Sequence, residues 1–200
     1  MNTPFPATSS VEMNIFYLSQ NPERAARWHC DKHVVKMILE TTQLLYTAHW
    51  VLAILNGGPK AAPDFRTAPT MASDPAHHGY RSIHNPKHPS AIWVRESLEH
   101  YKWLCELGMA LCEEFQHRFG SHKAHSCEEH IYWLYANPPP SLISRGWSQP
   151  PQAMPEEYRD PSSIIAYRKY YRYDKGEKRG MMKYSKRESP VWLTGPIDAA

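Results

Sequence analysis

Residues 29–47 read HCDKHVVKMILETTQLLYT, and this stretch decides the fold. Read as an α-helix with about 100° per residue, it places its polar side chains on one stripe roughly 80° wide. The stripe consists of His29, His33, Lys36, Glu40, Gln43 and Thr47. Nearly every other position is apolar, whereas a surface helix has a broad polar face and a limited apolar one. The sequence therefore predicts a buried helix that carries a narrow band of titratable groups.

Two interpretations of this polar stripe remain open. Burying titratable side chains is costly unless they are paired or used, which favours a stripe that lines a pocket. The alternative is that the stripe is the one solvated edge of a helix that is packed on both flanks.

Composition indicates one domain. The chain has 200 residues, 42% of them hydrophobic, which is enough for a single core. Residues 1–12 lack the basic and apolar regions of a signal peptide, and we expect a flexible extension there. Residues 13–200 are then the folded domain.

The cysteines and the hydropathy pattern bear on the compartment. The four cysteines contain no CxxC pair, which indicates a reducing environment without disulfides. No apolar run reaches 18 residues, so no membrane span is predicted. We therefore expect a cytoplasmic protein.

Helix signals divide the domain. Asn21-Pro22 is typical of a helix start, Asp31 is a candidate N-cap after a break near Cys30, and Asn56-Gly57-Gly58-Pro59 is a strong stop. Further helices are predicted at 90–119, from about Cys127, and at 162–174. Long loops are predicted at 56–88 and 136–161, and 13–18 is a short strand or a buried extended segment. The fold class is mainly α: a helical bundle of about five helices with at most one short N-terminal strand.

The basic charge is concentrated near the C-terminus. Residues 159–188 contain ten Lys or Arg and four Asp or Glu, a net charge of +6, whereas the formal charge of the whole chain is only +3. Such a segment suggests a polyanionic partner, with Arg168, Arg172 and Lys178 as phosphate contacts. Four tyrosines interleave with these residues, a pattern that suits base stacking. An amphipathic helix with its tyrosines packed inward is the alternative.

Metal binding is one candidate chemistry. His29 and His33 are four residues apart on the predicted helix face, a spacing that suits two ligands of one Zn or Fe ion. Further ligands could come from His84, His88, His125, Cys127 or Glu40. In the alternative, His29 caps or pairs locally and His33 bonds within the stripe.

Acid–base or amine chemistry is the other candidate. Lys36 and Glu40 are an i, i+4 pair, which is a weak salt bridge if exposed. If the pair is buried, Lys36 becomes a candidate for amine chemistry, and Glu40 or Asp31 for the general base. The candidate catalytic set is His29, Asp31, Lys32, His33, Lys36 and Glu40. His84 and His88 precede a predicted helix start and would close the site. The backbone N–H groups at that helix start favour a bound anion.

Signatures of several enzyme and binding classes are missing from the sequence. It contains no P-loop, no GxSxG motif and no dinucleotide-binding fingerprint. It also contains no helix-turn-helix, zinc-finger or RNA-recognition signature. Standard NTPases, α/β-hydrolases and dinucleotide enzymes are therefore disfavoured.

Four segments carry a resemblance to a known group of proteins. They are NIFYL…NPERAARWHCDKHVVKMILETTQLL, HPSAIWVRES…YKWLCELGMALCEEF, QAMPEEYRD and AYRKYY. They resemble small uncharacterised proteins of bacteriophages and large DNA viruses over roughly residues 13–193. The resemblance implies a setting among DNA replication, repair or base-modification functions, in the host cytoplasm if the protein is viral. It transfers no catalytic residue.

Two functional hypotheses follow. The first is an enzyme that acts on nucleic acid or nucleotides by base modification, base excision or hydrolysis, with or without a metal. The second is a non-catalytic nucleic-acid-binding or partner-binding module that uses the basic C-terminal helix. A small-molecule enzyme with no nucleic-acid role is a third possibility.

Overall fold

A computed structural model of the chain describes residues 14–55, 85–120, 122 and 124–199. This part of the chain is mainly helical and contains no β-strand. Its α-helices are α1 (Pro22–Trp28), α2 (Asp31–Leu55), α3 (Pro89–Glu96), α4 (Leu98–Phe119), α5 (Glu128–Ala136) and α6 (Ser163–Tyr170). The predicted all-α bundle is confirmed. The predicted extension at 1–12, and the part of the loop before residue 85, lie outside the described residues.

The break that precedes the central helix α2 falls where the sequence predicted it. His29 is extended and caps α1, and the Cys30 carbonyl accepts the backbone N–H groups of both His33 and Val34 at 2.9 Å. Helix α2 therefore begins at Asp31. His29 lies before this helix, so the prediction that His29 and His33 share one helix face is wrong.

The predicted long helix at 90–119 is in fact two helices, because it breaks at Ser97. The Ser97 backbone is extended, and the chain at 143–145 fills the break. The Leu98 N–H donates to the Ile143 carbonyl at 3.1 Å, and the Arg145 N–H donates to Ser97 Oγ at 2.9 Å. These partners lie more than 40 residues away in sequence, so local helix signals could not reveal the break. The predicted end at Gly120 is confirmed.

The core forms where α2 packs on α4, with α1, α3 and α5 packed around them. Gly108 of α4 marks the tightest point. A Cβ atom there would lie 3.0 Å from the side chains of Thr41 on α2 and Ile131 on α5. Alanine at this position would require the Thr41 and Ile131 side chains to shift by a few tenths of an ångström, because 3.0 Å is below normal carbon contact distance.

The N-terminal and C-terminal segments close over one end of this core. Residues 14–19 are buried and contain no strand, as the buried-segment alternative predicted, but a turn from Phe16 to Leu18 interrupts the expected extended chain. After the mostly irregular segment 137–162, helix α6 continues directly into a π-helix, Tyr171–Lys178. Short 3₁₀ helices lie at Glu156–Tyr158 and Val191–Leu193, and Trp192 is fully buried.

Candidate functional site

Lys36 and Glu40 form a pair that connects the surface with the interior. Lys36 Nζ lies 2.9 Å from Glu40 Oε1, and the exposed side-chain fractions are 46% for Lys36 and 4% for Glu40. Burial raises the pKa of the Glu40 carboxyl, although the Lys36 ammonium group opposes this shift. The pair thus joins an exposed ammonium group to a buried carboxyl.

The N-terminal segment supplies a second contact to Glu40. The Asn14 backbone N–H donates to Glu40 Oε2 at 3.3 Å, and Asn14 Nδ2 donates to the Ala153 carbonyl at 3.0 Å. Asn14 therefore ties the Glu40 carboxyl to the irregular segment 137–162. The Asn14 N–H thus gives Glu40 Oε2 a hydrogen bond, while Lys36 pairs with Oε1 as an ion pair.

The N-terminal segment also contains a strained residue. Phe16 has a φ of 49°, a left-handed conformation that is rare for a bulky side chain. Its ring stacks on His33, with centroids 4.4 Å apart and planes inclined by 21°. Backbone strain of this kind persists only when surrounding contacts hold it, and it is frequent at functional sites.

The π-helix contributes a buried lysine. Lys175 is 6% exposed, donates to the Tyr170 hydroxyl at 2.8 Å, and lies 3.1 Å from Asp174 Oδ2. Its charge lowers the pKa values of both Glu40 and His33, so it lies within electrostatic range of both. π-Helices are rare and occur frequently at functional sites.

His33 is held in its neutral form. Burial lowers the pKa of His33 to about 2, and the positive charges around it act in the same direction. The Tyr171 hydroxyl accepts the Cys30 N–H at 2.6 Å and lies 2.9 Å from His33 Nδ1. The two contacts hold the Tyr171 hydroxyl between the Cys30 backbone and the His33 ring. His33 therefore supports Phe16 and Tyr171 from within the core.

His29 has one free nitrogen. Its Nδ1–H donates to the Ala25 carbonyl at 2.6 Å, and burial lowers its pKa to about 4. Nε2 is buried and has no hydrogen-bond partner among the described residues. A backbone carbonyl that fixes Nδ1 is the usual support of a metal-binding histidine. However, the described part of the chain contains no group of three His, Cys, Asp or Glu side chains that could hold an ion. The Zn or Fe site at His29 and His33 stays a prediction.

Asp31 belongs to a structural ion network. Arg118, which is 3% exposed, donates to Asp31 Oδ1 at 3.2 Å and to Glu114 Oε2 at 2.9 Å. Ser185 donates to Asp31 through its backbone N–H and its hydroxyl. These contacts lower the pKa of Asp31, although burial opposes them. Asp31 is thus a fixed anion that joins α2 to α4, not the free general base of the sequence-based hypothesis. Its neighbour Lys32 is exposed.

The predicted phosphate-binding residues do not form one exposed surface. Arg168 is 5% exposed, lies against the rings of Trp28 and Trp192, and donates to the carbonyls of Leu18, Ile197 and Ala199. Its assignment to a phosphate-binding surface is wrong, because the guanidinium group is buried and its N–H groups already donate to these three carbonyls.

Other members of that set have local roles, and one remains exposed. His88 Nδ1 accepts the Ser90 N–H and so caps α3. Arg172 donates to the Gly195 carbonyl. Lys178 remains on the surface, where it contacts the Tyr158 hydroxyl and Glu157. His84 lies outside the described residues.

Sequence reasoning missed Asn14, Phe16 and Lys175. Nothing in a linear sequence indicates that an N-terminal backbone N–H points at Glu40. The sequence around Lys175 gave a weak indication of burial, since Lys175 follows several tyrosines. Its inward position was not predictable, because the residues of a π-helix do not follow the α-helical period. The tyrosines themselves follow the inward alternative, with Tyr167, Tyr170 and Tyr171 buried.

Comparisons with protein-family models, curated proteins and solved structures gave no match for this chain. The resemblance to phage and viral proteins therefore stays a prediction. Within the described ranges, no helix is both long and apolar enough to cross a membrane.

Proposed function

We propose that this chain is an enzyme that excises a base from nucleic acid, with Lys36 as the attacking amine and Glu40 as the acid–base group. The observation that carries the proposal is the contact between Lys36 Nζ and the buried Glu40 carboxyl at 2.9 Å. Activated nucleophiles of this kind consist of a reactive group within reach of a general base.

The chemistry follows from the environment of the pair. In the proposed step, the Glu40 carboxylate accepts a proton from the Lys36 ammonium group, whose Nζ lies 2.9 Å away. The free amine then forms a bond to C1′ of the sugar, and the glycosidic bond breaks with its electron pair going to the base. Glu40 returns its proton to the leaving base. The product is a covalent amine adduct of the sugar, which opens to a Schiff base.

Charge supports an anionic substrate. Lys32 and Lys36 are exposed on the first two turns of α2, and Lys178 and Arg179 are exposed at the end of the π-helix. Lys175, which pairs with Asp174, lies within electrostatic range of Glu40. Phosphates of a nucleic-acid backbone fit such surroundings, because Lys and Arg supply most of the affinity for them.

The rival binding-module hypothesis loses its main support. It relied on the Tyr/Arg helix, and in that helix Arg168 and three of the four tyrosines are buried. Of these four tyrosines, only Tyr173, at 38% exposure, is accessible to a base.

The test is release of free base from single-stranded and duplex oligonucleotides that contain normal and damaged bases, followed by mass spectrometry. We expect release by the wild-type chain and a loss of at least about 100-fold in Glu40→Gln and Lys36→Gln, in line with acid–base and nucleophilic contributions. Glu157→Gln is the matched control, because Glu157 is 62% exposed. Absence of base release, or a fully active Glu40→Gln variant, would overturn the proposal.

A further inference from the structure

Trp147 forms a ridge between two open clefts on the surface. One cleft has a volume of about 550 Å³ and lies against Arg95, His100 and Arg145. The other has a volume of about 460 Å³ and lies against Tyr17 and Gln149. Trp147 and Ser148 line both clefts, so the indole is a wall that the two share. Trp147 is 38% exposed.

The ridge is rigid although it lies in an irregular segment. The Trp147 ring centroid lies 5.6 Å from that of His100 and 5.9 Å from that of Trp103. The Ser148 N–H donates to His100 Nε2 at 2.9 Å, and the Ser148 carbonyl accepts from Trp93 Nε1 at 3.0 Å. An aromatic side chain that is already fixed loses little entropy when a ring stacks on it.

The larger cleft carries a net positive charge. Arg95 and Arg145 line it together with one acidic residue, Glu96. Arg145 is exposed, whereas Arg95 is anchored to the carbonyls of Pro86 and Ala91. The wall of the smaller cleft is largely polar, with Gln20, Ser148, Gln149 and Ser162. A fixed indole beside cations and amide groups suits a planar base with a phosphate better than an apolar protein surface.

We infer that the Trp147 ridge binds single-stranded nucleic acid, with a base stacked on the indole and a phosphate held by Arg145. The inference deepens the proposed function, since it names the strand that would reach the Lys36–Glu40 pair. Ala153, whose carbonyl accepts from Asn14, lies six positions after Trp147. An extended chain of that length spans at most about 22 Å. A short oligonucleotide is therefore long enough to reach from the ridge to Ala153, which Asn14 joins to Glu40.

The test is fluorescence anisotropy with a labelled 12-residue oligothymidine, using the Glu40→Gln background so that no turnover is required. We expect Trp147→Ala to weaken binding at least about five-fold, whereas Trp147→Phe keeps most of the affinity, because stacking needs only an aromatic face. Ile143→Ala is the control, because Ile143 is 56% exposed on the same segment. Arg145→Gln should weaken binding and lower the salt slope by about 0.7, the value for one phosphate on a single strand.

Three results would overturn the inference. They are unchanged affinity in a folded Trp147→Ala variant, an abasic 12-mer that binds as tightly as oligothymidine, and binding that requires a duplex. If Trp147→Ala fails to fold, quenching of tryptophan fluorescence by oligothymidine decides the matter. Quenching should be smaller in Trp147→Phe, and equal quenching would contradict stacking on Trp147. An oligouridine arm distinguishes RNA from DNA.

The binding test of the Trp147 ridge can fail separately from the catalytic proposal. Binding that depends on Trp147 together with unchanged activity in Glu40→Gln would refute the Lys36–Glu40 chemistry alone. Activity that requires Glu40 together with binding that ignores Trp147 would refute the ridge alone.

Discussion

Lys36 Nζ lies 2.9 Å from Glu40 Oε1, and the two side chains differ about ten-fold in exposure. The amine is accessible to a substrate, whereas the carboxyl is shielded from water and contacted from behind by the Asn14 N–H. In such an arrangement, the surface group Lys36 attacks the substrate and the buried group Glu40 transfers the proton.

The buried Glu40 carboxyl is expected to reduce the stability of the folded protein at neutral pH. Burial raises its pKa, so the folded state binds a proton more tightly than the unfolded state does. Stability from this group is present at low pH and is lost as pH rises through the folded pKa. Glu40→Gln should therefore melt at a higher temperature than wild type at pH 7, with a difference that shrinks towards pH 4. Thermal unfolding across this range, beside Glu157→Gln, measures it. A variant less stable than wild type at pH 7 would contradict this expectation.

Lys175 is expected to tune Glu40 from a distance. Its charge lowers the pKa of Glu40, so Lys175→Met should raise that pKa further. The carboxyl ¹³C resonance of Glu40, followed by NMR over pH, gives the value directly. Lys178→Met serves as the control, since Lys178 contacts Glu157 and Tyr158 at the surface. An unchanged Glu40 titration in Lys175→Met would show that Lys175 has only a packing role.

Arg118 is expected to be the most sensitive ionic residue. It donates to the carbonyls of Arg27 and His29 as well as to Asp31 and Glu114. Arg118→Met leaves two carboxylates in the interior with fewer partners, a change that costs about 3–5 kcal/mol of unfolding free energy. Urea denaturation beside the exposed control Arg159→Met gives the difference. A loss below about 1 kcal/mol would mean that Arg187, which also contacts Glu114, compensates.

The two buried histidines are expected to make the fold acid-sensitive. Burial lowers the pKa of His29 to about 4 and that of His33 to about 2, from an ordinary value of 6.5. Because the unfolded state binds more protons, stability is intact above pH 6.5 and declines as pH falls towards the folded pKa values. Each histidine adds about 1.4 kcal/mol per pH unit to this decline.

Denaturation at pH 7, 6 and 5 tests this expectation. His29→Asn and His33→Asn should each reduce the slope by about one proton, because asparagine does not titrate there. His117→Asn, at an exposed position, is the control variant. Parallel pH profiles for all four proteins would contradict the buried neutral state.

Local patterns explain how much of this structure was predictable. The apolar run of α2, the break before Asp31 and the stop at Gly120 depend on neighbouring residues, and all three were predicted correctly. The break at Ser97 and the burial of Arg168 depend on carbonyls and N–H groups that come from distant segments. The Lys36–Glu40 pair was visible as an i, i+4 spacing, but its asymmetric burial was not. That asymmetry arises because the N-terminal segment covers Glu40 and leaves Lys36 open.

The most direct test of the Lys36–Glu40 chemistry is covalent trapping. The protein is incubated with an oligonucleotide that contains an abasic site, whose C1′ aldehyde accepts any base-excising amine, and sodium borohydride is added. We expect a stable protein–DNA adduct that peptide mapping assigns to Lys36, and that disappears in Lys36→Gln but persists in the variant Lys102→Gln, at an exposed lysine. Failure to trap an adduct, or an adduct that survives Lys36→Gln in full, would contradict amine catalysis and favour hydrolysis.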